Sequence, residues 1–417
     1  MSYTRRDFLK TTLGASALLS FTSAAPRFLV RAATAASRRD DRGTILVVVQ
    51  LSGGNDGLNT VVPYGDDQYA RNRPTLALPP EELYKIDSLL GFHPRMAGFM
   101  RLYENGHLSI VQGVGSPNSD RSHDGAMRIW HTADPEQPGR QTGWLGRAAD
   151  SIWQASRTEA PAVFVGPITQ PFGLNAENAI VPSIRSIQDL TADQLPGHEN
   201  GQSLWKHAAE LPRSDHVNPL LPFVQRCTLN ACATARRIEA VAKTAPGNAE
   251  YPHFQLAGTL RTVAQLIRAD VGIRIFFTEL GGGGIGGFDN HANQLGNHCS
   301  LLHHLSESLA AFIDDLEREK LLDRVLVMTF SEFGRTILEN GRRGTGHGAA
   351  APVFLAGGRL KGGLVGPHPS LTDLDNGAPK FHTDFRRVYA TVLDQWLGFD
   401  SRIVLGRQFE QLDILNV

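Results

Sequence analysis

Carboxylate, imidazole and hydroxyl side chains gather in this chain at a few places, each next to a hydrophobic run. Asp56 follows TILVVVQL in SGGNDGLN. Ser122 lies in the polar stretch GSPNSDRSHDGAMRIW, and Asp289 and His291 follow GIRIFFTEL in a glycine-rich loop. Glu332 and Arg335 follow RVLVMTF in SEFGRT, and His347 sits in GTGHG ahead of AAPVFLA. Carboxylates mixed with neutral imidazoles suit a divalent metal such as zinc or manganese, and two such ions could clamp an anionic ester while activating a hydroxyl nucleophile. Several of these residues have a plainer use. Asn-Asp-Gly is a common turn signal. Ser122 is placed either as a nucleophile among the free N–H groups of a helix start or as that helix's N-cap. Arg335 could orient an anionic group through its planar donor fork or serve in a structural salt bridge. His123 and Asp124 either support Ser122 or satisfy the helix start, and Asp384 reads as a helix-start residue. His298, His303 and His304 read as solvated or structural.

The elements that must hold these groups follow from hydrophobic periodicity. Residues 44–51, 108–114, 161–167, 273–280, 324–330 and 351–356 are short runs rich in branched apolar residues, the pattern of strands buried on both faces of a parallel sheet. Between them, residues 94–105, 218–243, 254–269, 295–319 and 384–397 carry apolar side chains at helical spacing, and a further helix is expected from about Ser122. Strands alternating with helices predict an α/β fold with a mainly parallel, doubly wound sheet sandwiched by helices. Such sheets build their sites in the loops at the carboxyl ends of the strands, where most of the candidate residues fall. The GGGGIGG run lacks the Lys-Ser/Thr and the strand–helix spacing of a phosphate or dinucleotide loop. It permits close backbone approach to a ligand. Residues 167–201 show no period and read as surface loops or a lid, and residues 202–270 as a helical insertion in a single domain spanning 44–417.

The address is written at the start of the chain. Thr4, Arg5, Arg6, Asp7, Phe8, Leu9 and Lys10 read as a twin-arginine signal ahead of a mildly apolar stretch, so residues 1–35 are expected to be a signal peptide and 36–43 a linker. The apolar stretch is too short and weak for a stable membrane span. The twin-arginine export machinery is the implied partner, with a periplasmic or extracellular destination. The 417 residues, 41% hydrophobic, suffice for a full-sized core. A formal net charge of −1 gives no electrostatic reason to expect nucleic acid. Cys227, Cys232 and Cys299 make no disulfide framework and read as small core residues. No nucleotide fingerprint, haem motif or cysteine cluster supports a redox role.

Taken together, LVVVQLSGGNDGLNTVVP, RSHDGAMRIW, FDNHANQ, SEFGRT, ENGRRGTGHG and GGRLKGG, behind a twin-arginine signal, resemble the exported bacterial family catalogued as domain of unknown function 1501. The resemblance spans nearly the whole mature chain. That family is similar in turn to the alkaline phosphatase and sulfatase superfamily. The resemblance implies a mostly parallel sheet between helices, with metal ligands at Asp56, Asp289, His291, Glu332 and His347 and a helix-start nucleophile at Ser122. Two positions depart from the pattern: Phe333 stands where a histidine usually follows the acidic residue, and Gly346 where relatives often carry Asp. The expectation is an exported metal-dependent hydrolase of small phosphate or sulfate esters, holding one ion or two. The competing expectation is a periplasmic or surface binding or assembly protein that keeps the fold with a degraded site.

Overall fold

A computed structural model describes residues 43–117, 121–137, 139–156, 160–167, 169–186, 250–281 and 287–416. In chain order the elements that matter are β1 (Ile45–Leu51), α1 (Ala97–Glu104), β2 (Leu108–Gly115), α2 (His123–Thr132), α3 (Trp144–Ser156), β3 (Ala162–Val165), β4 (Ser183–Ile184) and α4 (Gln255–Ala269). They continue with β5 (Ile275–Leu280), α5 (Gln294–Arg318), β6 (Val325–Phe330), β7 (Arg335–Glu339), β8 (Thr345–His347), β9 (Ala351–Gly357), β10 (Gly363–Val365), β11 (Thr383–Asp384) and α6 (Phe385–Thr391). The expected helix at 218–243, the signal and linker, Cys227 and Cys232 lie outside the described residues.

The first strand is the centre of the sheet. All seven residues of β1 are buried, and their side chains divide by parity. Ile45, Val47, Val49 and Leu51 enter one core, with Leu260, Val263, Leu302, Leu305 and Leu309 of α4 and α5. Leu46 and Val48 enter the other, with Trp130, Leu145, Phe385 and Tyr389 of α2, α3 and α6. Each such fully buried Val, Leu or Ile contributes roughly 1.5–3 kcal/mol, which is why a continuous apolar run belongs between two helical layers.

The nine-stranded sheet runs β10-β2-β9-β6-β1-β5-β3-β4, with β11 beside β2. β1 pairs in parallel with β5 and β6, β3 with β5 and β4, and β2 with β10 and β11. Only β9 is reversed, antiparallel to both β2 and β6. The mainly parallel sheet is as predicted, and the reversed strand is a refinement with a physical cause. Parallel neighbours need a crossover of a dozen or more residues, usually a helix. After β6 the chain makes instead the antiparallel hairpin β7–β8, stays at the same edge of the sheet and re-enters it from that end. His347, just ahead of β9, is thereby delivered to the edge where β1, β2, β5 and β6 finish.

Two other expectations shift. The 254–269 helix belongs to the main layer rather than to an insertion, since Leu256, Leu260, Val263 and Ile267 pack into the core with the sheet. The closing helix widens after Thr391 into a π-helical turn, Val392–Leu397, which keeps Leu393 and Trp396 buried. Among the described residues no helix is long and apolar enough to cross a membrane.

Candidate metal centre

Five chain segments meet at this edge, and their close approach depends on glycine. Gly53 and Gly54 follow β1 with φ of +115° and +77°. A Cβ on Gly53 would lie 2.5 Å from the Asp289 backbone N, and one on Gly54 would lie 2.3 Å from the Phe333 ring. No other residue combines that backbone with that space. The loops after β1, β5 and β6 therefore stack directly on one another.

At their junction Asp289 Oδ1 lies 2.9 Å from His291 Nε2, 3.2 Å from His347 Nε2 and 3.4 Å from His123 Nε2. The Nε2 atoms of His291 and His347 are 2.9 Å apart. The outer ring nitrogens are tied to acceptors. His123 Nδ1 is 2.9 Å from Glu332 Oε1, and His347 Nδ1 is 2.6 Å from the Arg121 carbonyl. A carbonyl or carboxylate oxygen accepts only, so these Nδ1 atoms donate, and in the neutral rings of His123 and His347 the Nε2 lone pairs face inward. Imidazole lone pairs converging on a carboxylate oxygen repel one another unless a cation or a shared proton sits among them. Oriented imidazoles with outer acceptors are the arrangement that metal sites use. Ligand atoms of His123, Asp289 and His347 all lie within 4.8 Å of one another, and an N3O donor set with His291 suits zinc.

The electrostatics are set by neighbours of unequal burial. The hydrogen bond to Glu332 outweighs burial and raises the His123 pKa above its ordinary value. Burial pushes Asp289 up, but the Arg335 hydrogen bond and charge hold it below the usual carboxylate range. Burial lowers His291, against the opposing pull of Asp289. Glu332 is itself held by Gly53 N at 2.8 Å and Ser331 Oγ at 3.1 Å.

The expected residues thus separate into groups. Asp289, His291 and His347 come together as candidate ligand donors. Glu332 is adjacent but, at 3% exposure, stands behind His123 as its carboxylate partner. Asp56 lies apart. It is buried, and both its oxygens are engaged by the Arg73 guanidinium and the Gln294 amide, which leaves no open face for an ion. Arg335 is equally occupied. Its side chain is fully enclosed and donates to the carbonyls of Gly54, Thr345, Gly53 and Phe288 and to Asp289, so it braces loops and has no reach toward an ester. Ser122 is the N-cap of α2 and accepts from Gly125 N at 3.2 Å. It is exposed and directly precedes His123.

Sequence reading missed His123 as a member of the cluster. The signal was present in RSHDGAMRIW, but a helix start needs only Ser122, so the next imidazole carried no separate demand. Phe333, in place of the expected histidine, is no ligand. Its buried ring lies against those of His347 and His123, with centroids 4.5 and 5.1 Å apart, and forms the apolar wall that fixes them. His298 is buried and bonds Asn55 at 3.0 Å, while His303 and His304 pack on Phe254. Asp384 caps α6. Each of these three outcomes is a structural role.

This geometry is that of an α/β protein with a histidine–carboxylate cluster at the carboxyl edge of its sheet. The chain belongs to the family described as protein of unknown function (DUF1501), whose model matches residues 44–409. No curated protein matches it. Among solved structures it is similar to a sulfatase from Pseudoalteromonas sp. (9% identity, 94% of this chain and 75% of the other, TM-score 0.39) and to a protein in the alkaline phosphatase superfamily from Vibrio parahaemolyticus (10%, 92% and 78%, 0.38). It is also similar to the zinc-complexed C-terminal periplasmic domain of EcEptC from Escherichia coli (9%, 76% and 74%, 0.37).

Proposed function

We propose that this chain is an exported metal-dependent hydrolase of phosphate or sulfate esters, with Ser122 as nucleophile and a divalent ion, zinc or manganese, held by His123, Asp289, His291 and His347. The observation that carries the reading is the convergence of three imidazole Nε2 atoms on Asp289 Oδ1. When bound, such an ion would supply Lewis-acid charge stabilisation to an anionic ester. The protein's own groups do the rest. Ser122 Oγ already accepts a backbone N–H at the start of α2, an environment that favours its ionised form. Glu332 keeps the proton of His123 on Nδ1 and so keeps Nε2 directed inward. Phe333 excludes water from one side of the rings. Asp56 and Arg335 take bracing roles in place of the ligand and ester-orienting roles expected of them. The twin-arginine motif at Arg5 and Arg6 supports export.

The test is metal analysis of the folded protein together with turnover of a panel of phosphate and sulfate monoesters. Stoichiometric metal and measurable turnover are expected. Ser122→Ala should lower kcat by orders of magnitude at unchanged metal content. The enclosure of Arg335 favours a second reading, a binding or assembly protein, because the expected anion-orienting group is out of reach. Stoichiometric metal with no turnover of any ester would establish that reading over the first.

A further inference from the structure

Beneath the ligand cluster lies a buried polar network that touches none of the converging Nε2 atoms. Asp56 and Arg73 are 2% and 0% exposed. Arg73 Nη1 is 2.5 Å from Asp56 Oδ2, and Nη2 is 3.0 Å from Oδ1. The other guanidinium donors go to Asn59 Oδ1 at 2.6 Å and to the carbonyls of Thr336 and Ile337 on β7 at 2.9 and 3.0 Å. The pair therefore already grips the hairpin that carries His347.

Gln294, the first residue of α5, completes the connection. Its Nε2 donates to Asp56 Oδ2, and its Oε1 accepts from Thr345 Oγ1 at 2.7 Å. The charged pair thus decides which way the amide points, since only the NH2 end can face a carboxylate. Thr345 N donates to the Asn290 carbonyl at 3.1 Å. Asn290 stands between Asp289 and His291, and Thr345 stands two residues before His347. One amide and one hydroxyl consequently bridge the loop bearing two of the four donors and the hairpin bearing another.

We infer that Gln294, oriented by the buried Asp56–Arg73 pair and bonded to Thr345, is a positioning residue that sets the spacing of Asp289 and His291 against His347. This rests on the metal reading proposed above. A buried ion pair is a poor source of net stability, because desolvation offsets most of its attraction. A fixed electrostatic reference for three loops is a use that its burial does not cancel.

Thr345 is fully buried, so Thr345→Val removes the hydroxyl at nearly constant shape, and Thr345→Ser restores it. The experiment titrates the full folded chain and both variants with Co2+, followed by visible absorption, alongside thermal unfolding without metal. The unaltered chain should bind one ion. Thr345→Val should bind it up to about 10-fold more weakly, less than the loss of a group bonded directly to a ligand, with a displaced absorption band. Thr345→Ser should return both affinity and band. Equal affinity and spectrum in Thr345→Val, or failure of Thr345→Ser to restore them, would overturn the inference while leaving the metal site standing. If Thr345→Val does not fold, Gln294→Met supplies the same comparison, and unchanged Co2+ binding there overturns it equally. Absence of Co2+ uptake by the unaltered chain overturns the metal reading and this inference together.

Discussion

At the scale of single residues, the informative exchange is between His123 and Glu332. The family resemblance assigns the acidic residue to the ion, yet its buried carboxylate is directed at His123 Nδ1 and Gly53 N, so the imidazole stands between it and the cluster. Loss of a ligand and loss of a ligand's partner differ in size. Glu332→Gln should weaken zinc binding about 10–100-fold, and His123→Ala should weaken it more; isothermal titration would rank them, and the opposite order would return Glu332 to the ligand set. Asp289, His291 and His347 were legible in the sequence because acidic and imidazole groups beside glycine turns have few other uses in combination. Asp56 was legible as important but not as occupied. Its partner Arg73 lies in an ordinary-looking polar stretch, and nothing in spacing alone says that a guanidinium folds back under the first loop.

At the scale of elements, the six long strands and the helices near 94–105, 254–269, 295–319 and 384–397 were legible to within a few residues because both-face burial and helical periodicity leave direct traces, whereas α3 and the short strands β4, β7, β8, β10 and β11 were not read. The direction of β9 was not read, because AAPVFLA looks the same whichever way it enters the sheet. The clue lay in the connection: residues 331–350 hold no helical period, so the chain had no crossover to carry it back to the far edge. That tight return packs Gly334 against the start of β9, where an added Cβ would lie 1.8 Å from the Ala350 carbonyl oxygen. Gly334→Ala should therefore cost about 1–3 kcal/mol in denaturant unfolding. Gly258 in α4, exposed with nothing near its missing Cβ, is the control, and its replacement by Ala should stabilise by about 0.5–1 kcal/mol. Equal effects at the two positions would mean that the approach at Gly334 is not as close as described.

At the scale of the whole molecule, the buried histidines outside the cluster contribute to the response to acid. Burial lowers His93 to about 3 and His131 and His298 to about 4, from an ordinary value of 6.5. The unfolded chain takes up these protons near 6.5, whereas the folded chain resists them until about 4 or below. Their contribution to stability is therefore complete above pH 6.5 and is lost progressively as pH falls toward about 4. Melting temperature measured across that window should drop steeply, and a flat profile would contradict the burial of these rings. His131 is the cleanest single probe: replacement by Gln, which can still meet Gln50, should flatten part of the slope.

The position of β1 also has a consequence for how the molecule assembles. The central strand is the earliest of the described strands, but its two neighbours, β5 and β6, are separated from it by more than half the sequence. During synthesis a ribbon that is apolar but for Gln50 must wait with both edges unpaired until residues 275–330 have emerged. Long-range parallel pairing of this kind is slow and exposes the chain to aggregation. The segment that organises the finished sheet is thus the one most in need of protection before the sheet exists.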